Sequence, residues 1–193
     1  MIPDSVCKNE TLKALNIVNC VSMRQLPSES FATLQNLWTI NLRQCTNLED
    51  LPSSLACVEL RTLNLHKVKG LAIPPQCISS LSNLEHLDLG YCINLVELPK
   101  GISKSKRLKV LNLEGCHKLR GLPAGFGHLR RTRSLGLFVI GGGREHARIS
   151  ELGNLDMISG TLEIIGITYV KGPIDAEKAY LKRKNNIKEL KLD

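Results

Sequence analysis

Apolar residues recur along this chain in a phrase of fixed internal spacing. Leu12-Leu15-Ile17-Cys20 is followed by Leu37-Ile40-Leu42-Cys45, Leu60-Leu63-Leu65-Val68, Leu84-Leu87-Leu89-Cys92 and Leu108-Leu111-Leu113-Cys116, all at offsets 0, 3, 5 and 8. The openings lie 25, 23, 24 and 24 residues apart. A second apolar step follows each phrase: Leu26-Pro27, Leu51-Pro52, Ile73-Pro74, Leu98-Pro99 and Leu122-Pro123. Polar residues fill the positions between.

Offsets 3 and 5 differ by two, so both side chains point to one face of a short strand, and the residue between them points to the other. One such unit cannot bury its own apolar row. Stacked units can, as a parallel sheet with a leucine core behind it. The Leu-Pro steps belong to the opposite side, because proline cannot donate to a sheet ladder. The pattern predicts an α/β fold: a leucine-rich-repeat solenoid, or horseshoe, with a parallel sheet on its concave face and an irregular or short-helical convex side.

Residues 1–131 read as regular repeats of 23–25 residues. Ile2-Pro3 stands ten residues before Leu12, as Leu98-Pro99 does before Leu108, so residues 1–11 read as the rear half of an earlier repeat. Residues 132–193 read as longer, irregular repeats of the same solenoid. Thr132-Leu135-Leu137 opens a sixth strand that runs into Phe138-Val139-Ile140. Ile149, Leu152 and Leu155 have helical spacing. The phrase returns at Leu162-Ile165-Ile167-Val170. Pro173-Ile174-Asp175 starts a helix, with a basic amphipathic stretch from Ala176 to Lys184. Ile187-Leu190-Leu192 begins an eighth strand. A solenoid needs polar caps, and neither end carries one, so the sequence reads as an excerpt.

Composition narrows the function classes. Of 193 residues, 42% are apolar but only 4% aromatic, so the core is aliphatic. No apolar run approaches the ~18 residues of a membrane span. Met1 to Ser5 lack the basic flank and apolar stretch of a signal peptide. The net charge of +8 is uneven: residues 1–100 hold 8 Lys/Arg against 9 Asp/Glu, and residues 101–193 hold 18 against 9. That asymmetry suits an acidic partner, a nucleic acid or a membrane surface, and equally a well-solvated face.

Segments such as LEHLDLGYCINLVELPKGI and LKVLNLEGCHKLRGLPAGF resemble the repeats of plant intracellular nucleotide-binding leucine-rich-repeat immune receptors. The stretch from Leu137, containing LFVIGGG, ISELGNLDMISGTLEIIGITYV and DAEKAYLKRKNNIKELKLD, is similar to the irregular repeat region of their coiled-coil class. The resemblance implies a cytoplasmic, or also nuclear, role in pathogen sensing, with repeats that recognise effectors and restrain an attached nucleotide-binding module. The chain lacks the G-x-x-x-x-G-K-[ST] phosphate loop of that module. Extracellular plant receptors of this fold usually carry Gly-x-Ile-Pro and an Asn where this chain has Cys.

The candidate chemistry is that of a binding surface. Cys20, Cys45, Cys92 and Cys116 share offset 8 and read as a buried ladder whose thiols close the turn. Without a C-x-x-C, zinc is not expected. Cys7, Cys57 and Cys77 lie off the ladder and have no assigned role. Asn16, Asn41, Asn64, Asp88 and Asn112 at offset 4 form an outward polar column, either solvated repeat consensus or a floor of donors and acceptors. At offset 1 stand Lys13, Trp38, Arg61, Glu85, Lys109 and Arg133. Stacking places Trp38 between Lys13 and Arg61. There it either packs on the strand edge or forms a binding hot spot. Arg43, His66, His86, Tyr91 and Phe138 complete the expected surface. Lys178, Lys182, Arg183 and Lys184 are either a solvated convex helix or a contact for an acidic patch. No stacking platform accompanies the charge, which disfavours nucleic acid. Gly141-Gly142-Gly143 is followed by no Lys-Ser/Thr and reads as a flexible loop.

The expectation is a non-enzymatic protein-interaction domain without a cofactor. Its partners are an effector or host target and the receptor's own switch module. A standalone intracellular adaptor is the alternative.

Overall fold

The computed structural model describes residues 8–27, 31, 33–57, 59–74 and 76–193. The expected half-repeat at residues 1–11 falls mostly outside these, as do Cys7 and the side chain of Cys57. Five strands, β1 (Ala14–Asn16), β2 (Thr39–Asn41), β3 (Thr62–Asn64), β4 (His86–Asp88) and β5 (Val110–Asn112), form one parallel sheet in sequence order. Leu15, Ile40, Leu63, Leu87 and Leu111 lie in register across it. Each is the inward middle residue of a three-residue strand, flanked by two outward side chains. β6 (Gly136–Val139), β7 (Gly160–Ile165) and β8 (Ile187–Leu192) form a second parallel sheet. Hydrogen bonds from Leu111 to Ser134 (3.0 Å) and from Leu113 to Leu135 (2.9 Å) tie the first sheet to the chain entering β6.

Behind the strands lie the leucines at offsets 0, 5 and 11, then stacked 3-10 turns at Ser53–Cys57, Gln76–Ser80, Lys100–Lys104 and Phe126–His128. The Leu-Pro steps start these turns. The carbonyls of Pro52 and Pro99 accept the first 3-10 bonds, from Leu55 (3.0 Å) and Ile102 (2.9 Å). In the third repeat the step is shifted by one residue. Ile73 is 51% exposed and Pro74 takes the buried place. That repeat reaches its proline one residue sooner than its neighbours, so Pro74 sits at the offset filled by leucine elsewhere.

Cys45, Cys92 and Cys116 of the cysteine ladder are buried as expected and their thiols bond across repeats, whereas Cys20 in the first repeat is only half-buried. The thiols of Cys45, Cys92 and Cys116 donate to the offset-5 carbonyls of the preceding repeats: Ile17 (3.2 Å), Leu65 (3.1 Å) and Leu89 (3.0 Å). Burial pushes the Cys92 thiol up to about 12 and that of Cys116 up to about 11.

The segment after residue 131 departs from the regular pattern in three ways. Phe138, expected on the surface, is fully buried and meets Phe126 edge-to-face at 6.1 Å. Gly136, at φ +76°, turns the chain so that Phe138 aligns with the buried Ile164 and not with the outward residues of β5. In β7, Leu162 and Ile164 face the core, whereas Ile165 is half-buried and Ile167 exposed. The phrase expected at Leu162-Ile165-Ile167-Val170 is therefore out of register. The strand is six residues long, so alternation from Leu162 decides the facing, and a one-residue offset reverses it.

The basic stretch is not one helix either. After α1 (Ile149–Leu152), α2 (Pro173–Glu177) ends early, and Tyr180 at φ +49° precedes a 3-10 turn at Leu181–Arg183. Lys184, expected in solvent, is buried. Its ammonium donates to the Leu155 carbonyl (3.0 Å) and lies 3.8 Å from Asp156. Burial lowers its pKa, and Asp156 partly opposes the shift. Among the described residues no helix is long and apolar enough to cross a membrane.

Candidate binding face

The outward residues of β1–β5 make a floor whose polar atoms are partly committed to the fold. At offset 4 the side-chain oxygen accepts the backbone N–H two residues on. The pairs are Asn41 with Arg43 (3.2 Å), Asn64 with His66 (2.9 Å), Asp88 with Gly90 (2.9 Å) and Asn112 with Glu114 (3.0 Å). These are Asx turns, which end each strand with a short polar side chain. The column is thus structural first, and half-buried over Asn41, Asn64, Asp88 and Asn112.

At the centre the column knits into a cluster. The Asn112 amide donates to the Asp88 carboxylate at 3.0 Å, and His66 Nδ1 lies 3.4 Å from the same oxygen. The His66 ring meets Tyr91 edge-on at 5.5 Å. Gly90 makes this convergence possible: a β-carbon there would fall 2.6 Å from Asn112 Nδ2 and 2.9 Å from His66 Nδ1. Towards the second sheet the floor deepens into a cleft of about 620 Å³, where Asp88, Glu114 and Glu163 stand among Ser134, Gly136 and Thr161.

Along the N-terminal edge of the strands runs the offset-1 ladder. Trp38 is 41% exposed, with Lys13 Nζ 5.4 Å and the Arg61 guanidinium 5.2 Å from its ring centroid. The expected sandwich forms, with each cation near the negatively polarised ring. Further along, Lys109 is hydrogen-bonded to Glu85, which holds that carboxyl below its usual range. Arg43 and His86 are exposed on the same floor.

The expected site residues therefore fall into groups. Trp38 and Arg61 form one; Asn64, His66, Asp88, Tyr91 and Asn112 form another; Lys109 is paired with Glu85. Phe138 leaves the surface. One partner escaped the sequence reading: Glu114, whose carboxylate accepts the Tyr91 hydroxyl at 2.7 Å. It occupies a repeat position where the other regular copies carry Val18, Arg43, His66 and Gly90, so periodicity alone gives no cue to it.

Comparison with known proteins agrees with this architecture. The Leucine Rich Repeat family profile matches residues 107–129. The Arabidopsis thaliana protein SUPPRESSOR OF npr1-1, CONSTITUTIVE 1 is 32% identical over 142 residues, 63% of this chain and 10% of its own length. A probable disease resistance protein of the same plant is 34% identical over 122 residues, 61% of this chain and 7% of its own. The disease resistance protein RPS4B, also from Arabidopsis thaliana, is 29% identical over 116 residues, 60% of this chain and 9% of its own. The chain thus spans a tenth or less of the length of these relatives. Among solved structures, the leucine-rich repeat domain of the type III effector XopL superposes with a TM-score of 0.52 at 26% identity, covering 66% of this chain and 53% of that one. The chain is a leucine-rich-repeat solenoid similar in sequence to plant disease resistance proteins.

Proposed function

We propose that this chain is the sensing segment of an intracellular plant immune receptor, acting in the cytoplasm or nucleus. Its concave face recognises a pathogen effector or a host target and restrains an attached nucleotide-binding module. The observation that carries this reading is the exposed Trp38 held between two cations on a rigid parallel sheet. Exposed Trp and Arg are the types that dominate interface energetics, and a pre-ordered aromatic loses little freedom on binding. The His66–Asp88–Asn112 cluster supplies directional polar contacts beside it. Kinship with disease resistance proteins supports the setting.

Restraint is a matter of differential affinity. A partner on the sheet face shifts the attached switch only as far as it binds one switch state better than the other. The test places Trp38→Ala, and separately Arg61→Glu with Lys109→Glu, in the full-length receptor. Partner binding or basal signalling changes, while the thermal melt of the repeat segment stays that of the parent. Variants that bind and signal like the parent refute the assigned face.

A further inference from the structure

The turn that leaves each regular strand has a feature that no apolar pattern reveals. The residue at offset 7 is left-handed in all five repeats: Asn19 (φ 62°), Gln44 (61°), Lys67 (60°), Tyr91 (58°) and Gly115 (73°). Asn and Gly reach this conformation at least cost. The outer two repeats use them, yet the middle three hold long side chains there. Two residues further on, Val21, Lys69 and Ile93 form a parallel row. Together the rows wall a groove of about 500 Å³ that runs across four repeats, on the flank of the solenoid beside the strands' C-terminal ends.

The groove is apolar and positive at once. Val21 is 57% exposed, Ile93 43% and Tyr91 38%. Lys67 Nζ lies 5.7 Å from the Tyr91 ring centroid. Neither Lys67 nor Lys69 has a carboxylate within ion-pair distance among the described residues. The nearby Glu114 is occupied by the Tyr91 hydroxyl. Gly115 leaves room for that ring, since a β-carbon there would stand 2.7 Å from it. The Lys13–Trp38–Arg61 ladder contributes nothing to this flank.

We infer that this lateral groove is a second docking site, taking an extended partner segment in which apolar side chains alternate with carboxylates. Apolar side chains cover Val21, Tyr91 and Ile93, and carboxylates meet Lys67 and Lys69. Four repeats span ~15 Å at ~4.8 Å per strand, a length that ~five extended residues cover.

The test uses the 193-residue chain and a fluorescein-labelled peptide of ~eight alternating leucine and glutamate residues, followed by anisotropy. Saturable binding is expected. It weakens at least ~tenfold in Lys67→Glu with Lys69→Glu, weakens likewise in Val21→Ser with Ile93→Ser, and is unchanged in Trp38→Ala. A leucine–lysine peptide of equal length does not bind. Because all four substituted side chains are outward, thermal melts should match the parent and separate docking from folding. The inference is overturned by absence of saturable binding, by equal binding of the lysine peptide, or by double variants that bind like the parent. Loss of binding in Trp38→Ala also overturns it, by moving the peptide to the concave face. The concave-face reading stands or falls independently of these outcomes.

Discussion

The regular repeats and the segment after residue 131 bury the same kind of side chain by different means. From β1 to β5 each strand is three residues long and sends one residue inward. Each ends in the same sequence of devices: a polar residue at offset 4, a left-handed residue at offset 7, and a buried Cys or Val at offset 8 wherever the ladder is closed. From β6 onward strands run four to six residues, and glycines at positive φ stand at the start of β6 and β7. Where strands are short, the phrase dictates facing. Where they are long, the period of two takes over, and matching the phrase assigns the wrong face.

The largest expected effect that bears on this contrast is at Phe138. Phe138→Ala should cost about 3–5 kcal/mol in denaturant unfolding, comparable to about 2–5 kcal/mol for Leu111→Ala in the regular core. An unchanged unfolding midpoint for Phe138→Ala would return that ring to the surface. Next is Gly90→Ala, where the new methyl presses on Asn112 and His66. Overpacking of this kind costs about 1–3 kcal/mol, and the same denaturation series reads it. If the variant is as stable as the parent, the central cluster is looser than its geometry implies.

The thiol ladder predicts a smaller, pH-dependent difference. Cys92 is held at about 12 against an ordinary value of 9.0, so between these limits the folded state keeps a proton that the unfolded state releases. Stability therefore falls as pH rises from 9.0 towards about 12. Cys92→Val with Cys116→Val should flatten that slope, measured as unfolding free energy against pH. An identical slope in parent and variant would remove the ladder as its source. The smallest effect belongs to the segment where phrase and structure disagree. Ile167→Ala should change stability by no more than about 0.5 kcal/mol, because Ile167 is exposed. A loss above ~2 kcal/mol would restore the phrase as the guide there.

Much of the fold was legible because leucine at offsets 0, 3 and 5 is both a chemical signature and a geometric one. The five regular strands, the buried thiols of Cys45, Cys92 and Cys116 and the Lys13–Trp38–Arg61 sandwich all follow from stacking a period of 23–25 residues. The left-handed column did not follow, because Asn, Gln, Lys, Tyr and Gly share no side-chain property that marks it; the backbone is forced there by the turn. Lys184 was unreadable for a related reason. Its charge predicts solvent, but the turn after Tyr180 carries it onto the Leu155 carbonyl. Ile73 misled because hydrophobicity tells what a side chain prefers, not which way a shifted proline has turned the chain; Phe138 misled the other way, since its expected outward place in the repeat gave no sign of the turn at Gly136 that buries it.

The Asx turns have a bearing on molecular recognition. Asn41 and Asn64 each turn the amide oxygen back to their own strand end. What they leave for a visitor is the amide hydrogens. At the fourth strand the sign changes, because Asp88 has no hydrogens to give and gathers contacts from Gly90 and Asn112. A chain lying across the floor therefore meets donors first and an anion afterwards, so the face has a polarity of its own. The two ends of a bound segment are not interchangeable on such a surface: carbonyl-rich or acidic groups suit one side and a cationic group the other.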